Sequence, residues 1–451
     1  MKVQRGFRTE LDLNDQQRTA CARHAGAARF AFNWGLSRKI EAKLAGNKMP
    51  TAIDLHRELN ALKKTELGWM YQVSKCAPQE ALRNLDQAFE NFFRRMQGKK
   101  AGKKVKAGFP KFKSKKKGLG SFRLTGSIHL FEKSIQLPRL GLLRLKERGY
   151  LPTQNVHILN ATVSERASHW FVSVQVEMDI PAPEPMEKGR AGVDLGIHRM
   201  AQVSDGEYFK NPQALEHSLQ KIKRLQRVVS RRVNGGANRK KAMRQLAKIY
   251  YRVANLRRNA LHQATTRLAK SKSVIVLENL NVSGMMQNHH LARSISDVGW
   301  HEFQRQLAYK AAWDGGLAIY ADRFYPSTKR CSHCGNVKGE MELKERTYEC
   351  EVCRLVIDRD LNAAINLEQY PDLRCSRCGH VKKMLSPGER TYACEVCGLV
   401  MDRDSNVASN LRLLSTASSA GSNACGEESC MSGLRIGQVL LEEAGTKHQS
   451  I

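Results

Sequence analysis

Eight of the twelve cysteines stand in four C-x-x-C pairs: Cys331 with Cys334, Cys350 with Cys353, Cys375 with Cys378, and Cys394 with Cys397. Fifteen residues separate the two pairs of each quartet, a spacing that suits a ribbon in which four thiolates surround one Zn2+ tetrahedrally. Because cysteine fills every ligand position, no place is left for a reacting water, and the implied ions, one or two Zn2+, are structural. A disulfide scaffold would suit a much shorter secreted chain than 451 residues. The other four cysteines, Cys21, Cys76, Cys425 and Cys430, are scattered and read as free thiols.

A second kind of chemistry is suggested by three carboxylates in unusual company. Asp194 lies in GVDLGI, a strand-like segment with glycines that permit close approach. Glu278 closes the apolar run VIVLENL, and Asp360 opens a helix in IDRDLNAA, whose small alanines allow tight packing on a sheet. Converging carboxylates repel one another unless a multivalent cation neutralises them, and hard oxygen ligands select Mg2+ or Mn2+. Two such ions can activate a water and stabilise a leaving oxygen in phosphodiester hydrolysis.

Residues 331–367 recur as residues 375–411 at a fixed offset of 44, with 23 of 37 positions identical. The repeat includes both the cysteine quartet and the acidic motif, so Asp358 and Asp360 return as Asp402 and Asp404. A tandem duplication explains this, and it leaves two candidates for the third carboxylate. Asp360 is preferred, because in the second copy Ser405 replaces Leu361 and the stiffer Val407 replaces Ala363. Asp404 remains the alternative.

The elements that must position these groups can be read coarsely. The charge is +32, with 75 Lys and Arg against 43 Asp and Glu, a surplus that points to a polyanionic partner, nucleic acid first. With no run of eighteen apolar residues and no apolar core in MKVQRGFRTELDLN, neither a membrane span nor a signal peptide is expected. A cytoplasmic protein is expected. Alternation at Val3 to Leu11 predicts an opening strand, and helical periodicity predicts a helical module over residues 12 to about 98. Ten lysines in residues 99–117, interleaved with Phe109 and Phe112, predict a basic, partly extended loop. Short alternating runs from Ser121 to about Met178 predict antiparallel strands, and the Pro-rich joint PAPEPMEKG marks a domain boundary near residue 187. Residues 221–272 hold seventeen Lys or Arg and no Asp or Glu, broken at Asn234-Gly235-Gly236. This predicts a basic helical hairpin that meets phosphate.

The chain resembles the TnpB family, transposon-associated RNA-guided DNA endonucleases related to the type V CRISPR effectors. The resemblance is carried, in order, by RFAFNWGL, APQEALRNLDQAFENFFRR, FPKFKSKK, GVDLGI, VLENLNVSGMMQN, ISDVGWHEFQRQLAYKA, YPSTKRCSHCG and DRDLNAA. It implies a multidomain α/β plus β-barrel protein: an RNase-H-like (RuvC) nuclease domain with a zinc-ribbon insertion, a split wedge β-barrel and a helical recognition module. The implied divisions are residues 1–11 and 121–186 for the barrel, 12–120 for the recognition module with its basic loop, and 187–329 for the nuclease domain with the hairpin at 213–272. After them come 330–356 for the first ribbon, 357–373 for the third acidic motif, 374–411 for its duplicate and 412–451 for a flexible tail. Asp194, Glu278 and Asp360 match the family's acidic motifs and would hold two Mg2+ or Mn2+ ions. The implied partners are a guide RNA from the transposon end and target double-stranded DNA. Sequence choice then rests on base pairing, while the protein reads a short adjacent duplex motif. Lys75, Gln79 and Arg123 are nominated for that motif by position. Two competing functions are a nuclease-dead RNA-guided repressor, which retention of all three acidic motifs disfavours, and a guide-free RNase-H-like transposase.

Overall fold

The computed structural model describes residues 2–102, 105–115, 118–184, 188–342, 344–385 and 389–422. Part of the basic loop, part of the Pro-rich joint, Cys425, Cys430 and residues 423–451 lie outside them. The chain divides into two compact units, Met1–Ala182 and Pro183–Ile451.

In the first unit, strand β1 (Lys2–Asp12) leads into α1 (Asp15–Leu44), started by a capping box in which Asn14 accepts from the Gln17 amide. Helix α2 (Ala52–Leu62) opens with a second capping box on Thr51, and after a short 3-10 turn α3 runs from Cys76 to Lys100. Pro78 sits in the first turn of α3, where its missing N–H costs nothing. Leu82, Leu85 and Phe89 are buried along one face of α3, while Phe93 stays 40% exposed. The basic segment beyond α3 is anchored at points. The Phe109 ring meets Phe89 and Phe92 edge-on, each 5.4 Å away, and Asn33 of α1 both donates to the Lys113 carbonyl and accepts its amide.

Strands β2 (Ser121–Leu124), β3 (His129–Leu130), β4 (Ser134–Leu137), β5 (Gly141–Leu145), β6 (Val156–Arg166) and β7 (His169–Asp179) join β1 in one antiparallel sheet. Its order is β2-β6-β7-β1-β5-β4-β3. This corrects the expected barrel: among the described residues the sheet is open, with no pairing between β2 and β3. Strands of four and two residues at the two edges offer too few ladder groups to close a cylinder. Phe122, Val163, Val172 and Val174 of the sheet share one core with Leu36, Leu55 and Leu82 of the helices.

The second unit begins with β8 (Arg190–Asp194), β9 (Arg199–Val203) and β10 (Tyr208–Lys210). Helices α4 (Ala214–Arg231) and α5 (Ala237–Ser271) follow as a hairpin turning at the Asn-Gly-Gly signal, its seam made by Ile222, Val229, Leu246 and Val253. Then come β11 (Val274–Leu277), α6 (Val282–Met285), α7 (Ala292–Val298), α8 (Trp300–Trp313) and β12 (Leu317–Tyr320). The strands form a five-stranded mixed sheet of order β10-β9-β8-β11-β12. Strand β11 runs parallel to both β8 and β12, whereas β9 and β10 are antiparallel. Two small two-stranded sheets follow, β13 (Thr347–Glu349) with β14 (Val356–Asp358), and β15 (Thr391–Ala393) with β16 (Val400–Asp402). Each precedes a helix, α9 (Arg359–Leu373) and α10 (Arg403–Ser422). Residues 412–422, expected to open a flexible tail, continue α10 instead, because Leu411 and Leu414 pack with Ile319, Ala321, Leu367 and Tyr370. Among the described residues no helix is long and apolar enough to cross a membrane.

Candidate active site

Strand register accounts for the first pair of carboxylates. Val193 pairs with Leu277 across the parallel β8 and β11, so Asp194, the last residue of β8, and Glu278, the first beyond β11, emerge side by side at the carboxyl ends of the two strands. In mixed α/β sheets that end is where ligands gather.

The third carboxylate arrives on a helix, and one glycine decides which helix. A Cβ added at Gly192 would lie 2.0 Å from the Ala364 carbonyl oxygen, 2.4 Å from the Glu368 nitrogen and 2.9 Å from the Leu367 Cβ. The α9 backbone therefore rests directly on β8, at a distance only glycine permits. Side chains alternate along a strand, so Asp194 shares the face of β8 that Gly192 presents to α9. Along the helix, Asp360 lies four residues before Ala364 and seven before Leu367, on the same face. The two alternations together turn Asp360 toward Asp194.

The electrostatics follow. Desolvation, Glu278 and Asp360 hold the Asp194 carboxyl well above the usual range, with Arg359 acting in the opposite sense. Glu278 is raised by desolvation and by Asp360, against a hydrogen bond donated by Ser327. Arg359 lies 3.2 Å from an Asp360 oxygen. Asp358 is the N-cap of α9, accepting from the amides of Asp360 and Leu361 at 3.0 Å each, and it pairs with Arg199 at 3.4 Å. Trp300 donates to the Gly196 carbonyl and Gln304 to that of Glu278, so α8 fixes the backbone beside both carboxylates.

The second repeat is not brought to this place. Its helix α10 lies along β12 and α9, and the Asp404 side chain is 73% exposed against 17% for Asp360, with Arg403 beside it at 3.6 Å. The asparagine frame of the ribbon is copied. Asn362 and Asn366 both donate to the Arg330 carbonyl, and Asn406 and Asn410 both donate to that of Arg374. The first ribbon also grips the second, through Arg330 donating to the Lys382 and Lys383 carbonyls.

Within each cysteine quartet all four sulfurs lie within 4.8 Å of one another. The pairs Cys331–Cys353 and Cys334–Cys350 are 3.5 Å apart, and Cys375–Cys397 and Cys378–Cys394 are 3.6 Å apart. A disulfide would need about 2.05 Å, whereas a tetrahedron with Zn–S of about 2.3 Å sets sulfurs about 3.8 Å apart. Burial opposes ionisation of Cys350, yet the Cys353 and Val352 amides bring its thiol down to about 6. The Cys397 amide does the same for Cys394, also to about 6. Both quartets could hold a zinc ion.

In the first unit, Lys75 is the exposed N-cap of α3, Gln79 is half-buried one turn on, and Arg123 stands on β2, which packs against α3. Arg123 is partly committed to the buried Glu80, 3.8 Å away, which also pairs with Arg83 at 2.7 Å. Sequence reading did not single out Ser327, Arg359 or the four frame asparagines. The only signal for the asparagines was their recurrence at the offset of 44.

Against this geometry, residues 173–289 match a family model described as a probable transposase, OrfB_IS605. The "Cas12f1-like, TNB domain" model matches twice in succession, over residues 300–367 and, more briefly, 368–411, each match including one cysteine quartet and its acidic motif. A "Helix-turn-helix domain" model matches residues 1–48, where the structure has β1 and the single long helix α1. A "Putative RNA-guided DNA endonuclease" of Streptomyces pristinaespiralis is 34% identical over 375 residues, which cover 81% of this chain and 89% of that one. The chain belongs to the TnpB family. InsQ of Escherichia coli, which carries the same description, is 32% identical over 81% of this chain and 92% of its own. A more distant relative is the "CRISPR-associated endodeoxyribonuclease Cas12f1" of Sulfoacidibacillus thermotolerans, 23% identical over 45% of this chain and 50% of its own.

Proposed function

We propose that this TnpB-family chain is a transposon-encoded, RNA-guided DNA endonuclease that hydrolyses phosphodiester bonds at Asp194, Glu278 and Asp360. The observation that carries this is the seating of α9 on Gly192, which turns Asp360 toward Asp194 and Glu278, both raised first by desolvation and then by the neighbouring carboxylates. Their oxygen donors fit Mg2+ or Mn2+, and two such ions would supply an activated water and stabilisation of the leaving oxygen. The protein's own part is to hold the three carboxylates rigid. Arg359 supplies a countercharge beside them.

The strand order, with two antiparallel neighbours on one side of β8 and two parallel strands on the other, supports an RNase-H-like reading of the nuclease domain. The domain divisions inferred from the family follow with it. The two thiol quartets hold structural zinc. The net charge of +32 serves a guide RNA and its heteroduplex with target DNA, and Lys75, Gln79 and Arg123 are the candidates for reading the adjacent motif. The decisive test is purification with bound RNA, followed by Mg2+-dependent cleavage of a matched DNA. Asp194→Ala and Asp360→Ala abolish cleavage, and Asp404→Ala retains it. Cleavage by Asp194→Ala would refute the site, cleavage without RNA would refute guidance, and loss in Asp404→Ala with retention in Asp360→Ala would move the third carboxylate to the second repeat.

A further inference from the structure

We infer that Ser327 is a positioning residue for Glu278, and that the α9 asparagine frame couples the first zinc ribbon to the acidic site through it. The inference rests on the carboxylate reading above. Ser327 is 3% exposed, and its hydroxyl donates to one Glu278 carboxylate oxygen. A glutamate carries three side-chain torsions, so tethering one oxygen fixes the aim of the whole group before a cation arrives. The Ser327 backbone is in turn held from α9. Asn366, fully buried, donates through one Nδ2 to the Ser327 carbonyl at 2.8 Å and to the Arg330 carbonyl at 2.7 Å. Asn362 donates to the same Arg330 carbonyl at 2.7 Å and accepts the Ser332 amide at 2.9 Å. The residue between those two contacts is Cys331, the first zinc ligand. Helix α9 thus carries Asp360 at its start and, through Asn366, fixes the segment that aims Glu278.

The second repeat is an internal control built into the chain. Asn406 and Asn410 reproduce the frame on Arg374, and Asn410 Nδ2 donates to a backbone carbonyl at 2.9 Å just as Asn366 does. That carbonyl belongs to Pro371, which has no hydroxyl to offer. The duplicate kept the ribbon's attachment, with no hydroxyl at this position to tether a carboxylate.

The test is Mn2+ binding to the full-length, zinc-loaded protein, read by electron paramagnetic resonance without nucleic acid. Ser327→Ala weakens binding about ten-fold, with zinc content and melting temperature unchanged. Ser327→Thr, which keeps the hydroxyl, restores affinity to within about three-fold, and Asn410→Ala binds as the wild type does. Unchanged binding in Ser327→Ala, or a Ser327→Thr variant as weak as Ser327→Ala, overturns the inference. A wild type that binds no Mn2+ overturns it together with the carboxylate reading. A protein that cleaves no DNA yet loses Mn2+ in Ser327→Ala keeps this inference and refutes only guided cleavage.

Discussion

Gly192→Ala isolates the contact on which the site depends. The added methyl would stand 2.0 Å from the Ala364 carbonyl oxygen and 2.4 Å from the Glu368 nitrogen, both backbone atoms of α9 that no rotamer change can move. To reach the 3.4 Å of ordinary contact the helix must retreat by about 1.4 Å. Overpacking of this kind costs roughly 1–3 kcal/mol, which lowers the melting temperature by several degrees without unfolding the domain. The larger effect falls on chemistry. Asp360 travels with α9 while Asp194 and Glu278 stay on the sheet, and a misplacement of about 1 Å costs on the order of 100-fold in rate. Guided cleavage under single-turnover conditions should fall by that factor, in a protein that still binds its RNA. Gly6→Ala on β1, where an added methyl meets nothing within 4 Å, should leave cleavage unchanged. A Gly192→Ala protein that cleaves within about three-fold of wild type would refute the reasoning, because Asp360 would then not depend on that approach.

Three further outcomes follow from the structure. Atomic absorption should find two zinc ions per chain, and Cys331→Ser and Cys375→Ser should each lower the count to one, with cleavage falling further in Cys331→Ser. Lys310 is buried between α5 and α8, donating to the hydroxyls of Thr265 and Thr266 and the His262 carbonyl, and burial lowers it to about 8. The unfolded chain, with lysine near about 10.4, then binds more protons between those values, so wild-type stability should rise with pH across that window relative to Lys310→Met. Denaturation midpoints of the two proteins that differ by the same amount at both ends of the window would refute it. Arg244, Lys248 and Arg252 recur every four residues on the exposed side of α5. Replacing all three with Glu should weaken RNA binding and flatten its salt dependence by about one unit of log–log slope for each phosphate left without a cation.

Several features were legible because they are local. The thiol quartets announce themselves by spacing, the hairpin by Asn-Gly-Gly between two basic helices, and the start of α3 by Pro78. That the expected barrel stays an open sheet was not legible, since closure depends on whether the two edge strands meet, and strands of four and two residues do not. Ser327 escaped notice because a lone serine in YPSTKRC has no pattern. Its meaning lies in Glu278, 49 residues away.

The sequence by itself determined that this chain carries two C-x-x-C quartets, each followed by an acidic motif, and that its charge suits a polyanion. It favoured Asp360 over Asp404 on helix packing but could not decide, because both aspartates follow an N-cap residue, both helices carry the same asparagine frame, and each copy folds by contacts within itself. Tertiary structure placed only one of them beside Asp194 and Glu278. The missing side chain of Gly192 lets a single helix lie against β8, and α9 occupies that place while α10 packs beside it on β12.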